Sequence, residues 1–166
     1  MKTLIIIHAA AVPQVGSLLA GGTIIHVCVD HPDQLSPIIA RAAETGGIEA
    51  WSVVIMVDCG MHRDGVSSDP DDTLGISLAD MVNRAAGVSL FGCYTHGGQS
   101  YTTAGEEAVR AVGEAERDAV VCVAKKIEKC VGMTLSSVGV GSTPTASHPP
   151  LHLAGVTEMH PGNYIF

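Results

Sequence analysis

Charge and aromatic side chains are scarce in this chain. Of its 166 residues only 16% are charged and 4% aromatic, with one tryptophan and two phenylalanines. Basic residues are outnumbered, nine Lys and Arg against 17 Asp and Glu, for a formal net charge of -8. A general nucleic-acid binder would want a basic patch, so that class of partner is not expected. Long hydrophobic runs are missing too. None approaches the roughly 18 residues of a membrane-crossing helix, so no membrane role is expected. The opening MKTLIII has one lysine and a short apolar run, with no small-residue cleavage pattern behind it. It reads as a strand and not as a signal peptide.

Paired cysteines are also lacking. Cys28, Cys59, Cys93, Cys122 and Cys130 are odd in number and form no Cys-x-x-Cys pair. They read as reduced core thiols of a cytoplasmic protein. The eight histidines show no metal-binding spacing, so no metal ligand is assigned. His26, inside a strand-like run, reads as structural. Neither a Walker loop nor a Gly-x-Gly-x-x-Gly fingerprint occurs, which disfavours nucleotide binding.

What is present is 46% hydrophobic sequence, enough for one ordinary domain with a real core. Apolar, β-branched runs suggest six strands, at 3–8, 24–29, 51–58, 88–96, 133–140 and 153–158. Helical patterns lie between them: one implied between residues 10 and 20, one after His31 broken by Pro37 and closed by glycines, one over about 72–86, and a long one over about 104–131. In the last, Val109, Val112, Ala115, Ala119, Val123 and Ile127 recur at spacings of three and four. Apolar strands alternating with helices predict an α/β fold with a parallel sheet covered on both faces.

In such folds chemistry collects at the carboxyl ends of the strands. Here those ends carry VDCGMHRDGV, GCYTHGGQSY, VGVGSTPT and GVTEMHPGNYIF. A phosphate needs converging backbone N–H groups, some hydroxyls and no side chain in the way. Gly141, Ser142, Thr143 and Thr145 supply this, and Gly162 and Asn163 offer a second small segment. The same loop also reads as an ordinary turn. His96 reads equally as a group beside a cofactor ring or as a structural hydrogen-bonding residue. Tyr101 and Tyr164 stand next to small polar residues, where a phenol could meet a phosphate. Asp58 and Arg63, across a glycine turn, read as an ion pair that fixes its loop.

The order of these four motifs resembles the D-serine dehydratase and D-threonine aldolase family, alanine-racemase-like enzymes of fold type III that use pyridoxal phosphate on a (β/α)8 barrel. The resemblance spans roughly residues 3–166, and GSTPT followed by HPGNY carries it most specifically. It implies a partial (β/α)8 TIM barrel, about strands three to eight, as one domain over 1–166. It implies that Gly141, Ser142, Thr143, Thr145, Gly162, Asn163 and Tyr164 cradle the cofactor phosphate, that His96 and Tyr101 lie beside the cofactor, and that Asp58 and Arg63 shape the site. In its complete form such a protein would be a lyase for small D-3-hydroxy amino acids, dehydrating D-serine or cleaving D-threonine, working as a homodimer. Two departures matter. The family's Schiff-base lysine, on an early strand in a His-x-Lys-Thr-type segment, has no counterpart among Lys2, Lys125, Lys126 and Lys129, so no catalytic residue is assigned. The family's carboxyl-terminal β-domain, with the histidine and cysteine that bind zinc in the dehydratase branch, is also not seen, so the chain is expected to be truncated at both ends. The alternative is a non-catalytic remnant that binds pyridoxal phosphate or phosphate weakly or not at all.

Overall fold

The computed structural model describes residues 3–6, 12–22, 24–46, 48 and 51–163. Strands and helices alternate: β1 (Thr3–Ile6), α1 (Val12–Ala20), β2 (Ile25–Val29), α2 (Pro32–Glu44), β3 (Trp51–Val57), α3 (Leu74–Arg84), β4 (Val88–Thr95), α4 (Glu106–Val131), β5 (Ser137–Val140), α5 (Thr143–Ser147) and β6 (Glu158–Met159). A 3-10 turn, Gly98–Thr102, separates β4 from α4. The six strands form one sheet in chain order, and every neighbouring pair is parallel. Strands added one after another through helical crossovers give the α/β architecture of a (β/α) barrel, of which this is a part.

The two faces of the sheet carry different cores. Val27, Val53, Ile55, Val57 and Val138 pack with Leu35, Ile38, Leu78, Val120 and Ile127 of the helices in one large cluster. On the other face Cys28, Val54, Met56 and Tyr94 form a small cluster with Phe91. Strands buried on both sides read as continuous apolar runs, which is why β2 and β3 were plain in the sequence. His26 is held within the sheet: its Nδ1 lies 2.7 Å from Ser52 Oγ and its ring stacks on Phe91 at 3.9 Å. Burial pushes the Cys28 and Cys93 thiols up to about 12, so both stay protonated core groups.

Four expectations about elements change. Pro37 does not break α2, which runs through it. It sits early in the helix, where it removes one intrahelical bond, while Leu35, Ile38 and Ala42 beyond and before it are buried. The fifth strand starts at Ser137 and not at 133, because Ser136 N–H is drawn to Phe91 O at 2.9 Å only at that point. The sixth strand is short and late. Val156 N–H donates to Leu153 O in a turn with Gly155 at φ +89°, so the chain first meets β5 at Thr157, whose amide donates to Val138 O at 2.9 Å, and the strand register begins at Glu158. The stripe on α4 is displaced as well: Ala115 is exposed, and Glu116 takes the inward position.

Among the described residues β1 pairs only with β2 and β6 only with β5, so each leaves backbone groups unpaired on one side. The 166-residue chain on its own is therefore expected to self-associate. Light scattering checks this: a species heavier than one chain is expected, and a clean monomer refutes it.

Candidate functional site

The site is built where strands end. At the end of β3 the Asp58 carboxylate folds back on its own loop. Its Oδ1 accepts from the amides of Gly60 (2.9 Å) and His62 (3.0 Å), and its Oδ2 lies 2.9 Å from His62 Nδ1. Burial pushes this carboxyl up, but the His62 and Gly60 amides and the His62 ring outweigh it and hold it below its ordinary range. Gly65 then returns the chain. A Cβ there would come within 2.4 Å of Asp58 N, and its amide donates to Asp30 Oδ2 at 2.7 Å. The expected Asp58–Arg63 ion pair is not formed. Arg63 donates from Nε and Nη2 to its neighbour Asp64, both at 3.2 Å. The nearby loop amides satisfy Asp58 before a long guanidinium side chain does.

At the end of β4 the buried Thr95 hydroxyl donates to Val57 O at 2.6 Å, tying β4 to β3. His96 follows, with Nδ1 2.6 Å from Gly141 O. A carbonyl only accepts, so Nδ1 carries the hydrogen of this bond. The Gly97 amide donates to Glu116 Oε1 at 2.5 Å. Within the 3-10 turn, Ser100 Oγ lies 2.7 Å from Ser142 Oγ.

The stretch after β5 is not an open loop. Ser142 caps α5: its Oγ accepts from Thr145 N, and Thr145 Oγ1 accepts from Ser142 N, a reciprocal capping box with Pro144 just inside the helix. Ser142 and Thr145 are both 1% exposed, so their hydroxyls hold the turn from within. Thr143, between them, is partly exposed and is the meeting point. Its amide donates to Tyr101 Oη at 3.3 Å, and its Oγ1 accepts from the Asn163 amide at 3.0 Å. Three strand ends thus converge on one threonine. Gly141 allows this closeness, since a Cβ there would stand 2.8 Å from both the N and the O of His160. Among the described residues, nothing lies within 4 Å of a Cβ built on Gly162. Tyr164 lies outside the described residues.

Of the candidate cofactor residues, the structure therefore brings Tyr101, Thr143 and Asn163 together and ties His96 to Gly141. Glu116 was missed in the sequence. It is 1% exposed, and burial pushes its carboxyl up, while the Thr145 hydroxyl and the Gly97 and Gly141 backbones pull against that. The signal was available: 109, 113, 116, 120, 123 and 127 make one buried stripe, and Glu116 is the charged residue on it. The lysines are elsewhere. Lys125 and Lys129 are exposed on α4, Lys126 donates to the carbonyls of Asp69 and Asp72, and Lys2 lies outside the described residues.

Comparison with known proteins places this geometry. The family profile described as alanine racemase, N-terminal domain, matches residues 3–166. The chain is 36% identical over 154 residues to a D-threo-3-hydroxyaspartate dehydratase from Delftia sp. strain HT23, covering 93% of this chain and 39% of that protein. The crystal structure of that dehydratase superposes with a TM-score of 0.88 at 34% identity, over 98% of this chain and 42% of the other. A D-serine dehydratase from Dictyostelium discoideum is 34% identical over 122 residues, 70% of this chain and 30% of that one. A D-threonine aldolase structure from Filomicrobium marinum, at 21% identity and TM-score 0.81, shares the fold over 100% of this chain and 43% of its own. The chain spans less than half the length of each of these relatives.

Proposed function

The chain belongs to the alanine racemase N-terminal domain family, and from that membership we propose that it is the phosphate-holding part of a pyridoxal-phosphate lyase barrel acting on D-3-hydroxy amino acids. The observation that carries this reading is the convergence on Thr143 of the Tyr101 hydroxyl and the Asn163 amide, from three successive strand ends. The residues fit the phosphate end of the cofactor. Gly141 lets the segments after β5 and β6 come together, since a Cβ there would stand 2.8 Å from His160 N and O. The Thr143 and Asn163 amides, now bonded to Tyr101 Oη and Thr143 Oγ1, would turn to a bound phosphate with the Tyr101 hydroxyl as donors of the kind an anion takes. When bound, the cofactor supplies an electron sink for the electrons released at the substrate's α-carbon.

The chain's own residues bind and orient. Thr143, Asn163 and Tyr101 would hold the phosphate. His96, its Nδ1 hydrogen committed to Gly141 O, would present Nε2 beside the cofactor. Asp58 keeps the β3 loop in shape through the Gly60 and His62 amides. A D-serine dehydratase and a D-threonine aldolase would share these parts, so the substrate named is the class, a small D-amino acid with a 3-hydroxyl.

A second reading has its own observation. The three lysines that the structure describes all lie on α4, two of them exposed and Lys126 bonded to the Asp69 and Asp72 carbonyls. That favours a chain which binds the phosphate without turnover.

Amide spectra of the 166-residue chain test the proposal. Inorganic phosphate and pyridoxal phosphate are expected to shift the Thr143 and Asn163 resonances, and pyridoxal without its phosphate is not. No shift with either phosphate, or an equal response to pyridoxal, overturns the reading. Ammonia release from D-serine and acetaldehyde release from D-threonine, each with added pyridoxal phosphate, separate the two readings: either product favours the lyase, and neither favours the binding-only chain.

A further inference from the structure

Resting on that reading of the anion site, we propose that Glu116 is a positioning residue that locks the ends of β4 and β5 together and sets the spacing of the phosphate cradle. Glu116 projects from the inward stripe of α4 and is 1% exposed. An ionisable group in that place costs stability unless it is fully bonded, and an apolar residue would continue the stripe at no such cost. It faces both strand ends. Oε1 accepts from the Gly97 amide at 2.5 Å, just past β4. Just past β5, the Gly141 backbone and the Thr145 hydroxyl pull the carboxyl down against its burial.

Neighbouring glycines have the shape this requires. A Cβ at Gly97 would stand 2.7 Å from Glu116 Oε1, so the carboxylate lies directly against the backbone there. At Gly113, almost a turn earlier on the same face of α4, a Cβ would stand 3.0 Å from Pro150 Cδ and 3.5 Å from Thr145 Cβ. Helix α4 is thus pared down where it meets the cradle, with a carboxylate at the point of contact.

The neighbouring hydroxyls form a network. The Thr145 hydroxyl donates to Ser142 O at 3.2 Å, Ser142 Oγ lies 2.9 Å from Thr145 Oγ1, and Ser100 Oγ lies 2.7 Å from Ser142 Oγ. Ser100, Ser142, Thr145 and Glu116 are each at most 2% exposed. The Glu116 carboxyl, bonded to Gly97, thus stands against a buried hydroxyl network that joins the 3-10 turn after β4 to the capping box after β5.

The test compares Glu116→Ala, Glu116→Gln and Thr145→Val with the unaltered chain, by hydrogen exchange of the Gly97 and Gly141 amides and by titration with inorganic phosphate. Glu116→Ala is expected to speed exchange at both amides, leave the β3 amides unchanged, and weaken phosphate binding about tenfold or more, as loss of charge-assisted bonds would. Glu116→Gln is expected to recover most of the affinity, since its Oε1 can still accept from Gly97; a residue that merely filled space would be rescued equally by leucine. Thr145→Val should slow nothing at Gly97 but weaken phosphate binding. Wild-type exchange at Gly97 and Gly141 in Glu116→Ala overturns the inference, whether or not the unaltered chain binds phosphate. If Glu116→Ala does not fold, wild-type affinity and Gly141 exchange in Thr145→Val overturns it instead. Absence of phosphate binding by the unaltered chain counts against the anion site alone.

Discussion

Gly141→Ala is expected to lower affinity for inorganic phosphate and for pyridoxal phosphate about 100-fold, or about 2.7 kcal/mol. The reason is steric and lies in the backbone. The added methyl would sit 2.8 Å from the N and O of His160 and 3.0 Å from its carbonyl carbon. No side chain can swing away to relieve this, so the segment after β6 has to move off the segment after β5. That movement pulls Asn163 away from Thr143, which it now meets at 3.0 Å. It also shifts Gly141 O, the acceptor for His96 Nδ1. Overpacking of this kind costs about 1–3 kcal/mol of stability, so the variant is expected to stay folded while its cradle opens. Calorimetric titration beside a melting curve checks both halves. A folded Gly141→Ala protein with unaltered phosphate affinity would place the anion site somewhere other than this junction.

How far this site was legible depends on what each residue needs in order to act. Strand β3 was plain because burial on both faces leaves Ser52 as its one polar residue, and the predicted ends of β3 and β4 fell one residue past Val57 and Thr95. The hydroxyl-rich segment was plain as composition but not as conformation. Three hydroxyls looked alike in the sequence, yet the capping box turns Ser142 and Thr145 inward and leaves Thr143 outward. The pairing of Arg63 was misjudged because a carboxylate at the start of a tight loop is reached first by that loop's own amides. Glu116 escaped notice for a different reason. Read alone, a glutamate on a long helix is a solvated residue, and only the register of the stripe over 109–127 assigns it to the interior. The late start of β6 rests on the turn at Leu153–Val156, a tertiary choice that alternation in the sequence does not reveal.

Gly92→Ala is expected to be the most destabilising single change in the sheet, by about 3 kcal/mol or more, beyond the usual range for an added methyl. In a chain of this size that lowers the melting temperature by about 6–12 °C. Gly92 sits in β4 just after an irregularity, where the register against β3 slips between Val53 and Val54. On its other side lies β5: a Cβ on Gly92 would overlap Ser137 O at 1.9 Å and approach Ser137 C at 2.6 Å. Overlap with a carbonyl oxygen of the neighbouring strand can be relieved only by parting the strands. The pairs Gly92–Ser137, Cys93–Val138 and Tyr94–Gly139 are the whole β4–β5 register, so little pairing remains to resist the parting. The cost should also reach the cradle. Beyond that short ladder lie His96 and Gly141, joined at 2.6 Å, and Ser100 and Ser142, joined at 2.7 Å. Thermal unfolding followed by circular dichroism tests the first effect, and phosphate titration of the folded variant below its melting temperature tests the second. A Gly92→Ala chain that melts with the unaltered protein would mean that β4 and β5 stand further apart than this register places them, and the spacing argument for the cradle would fall with it.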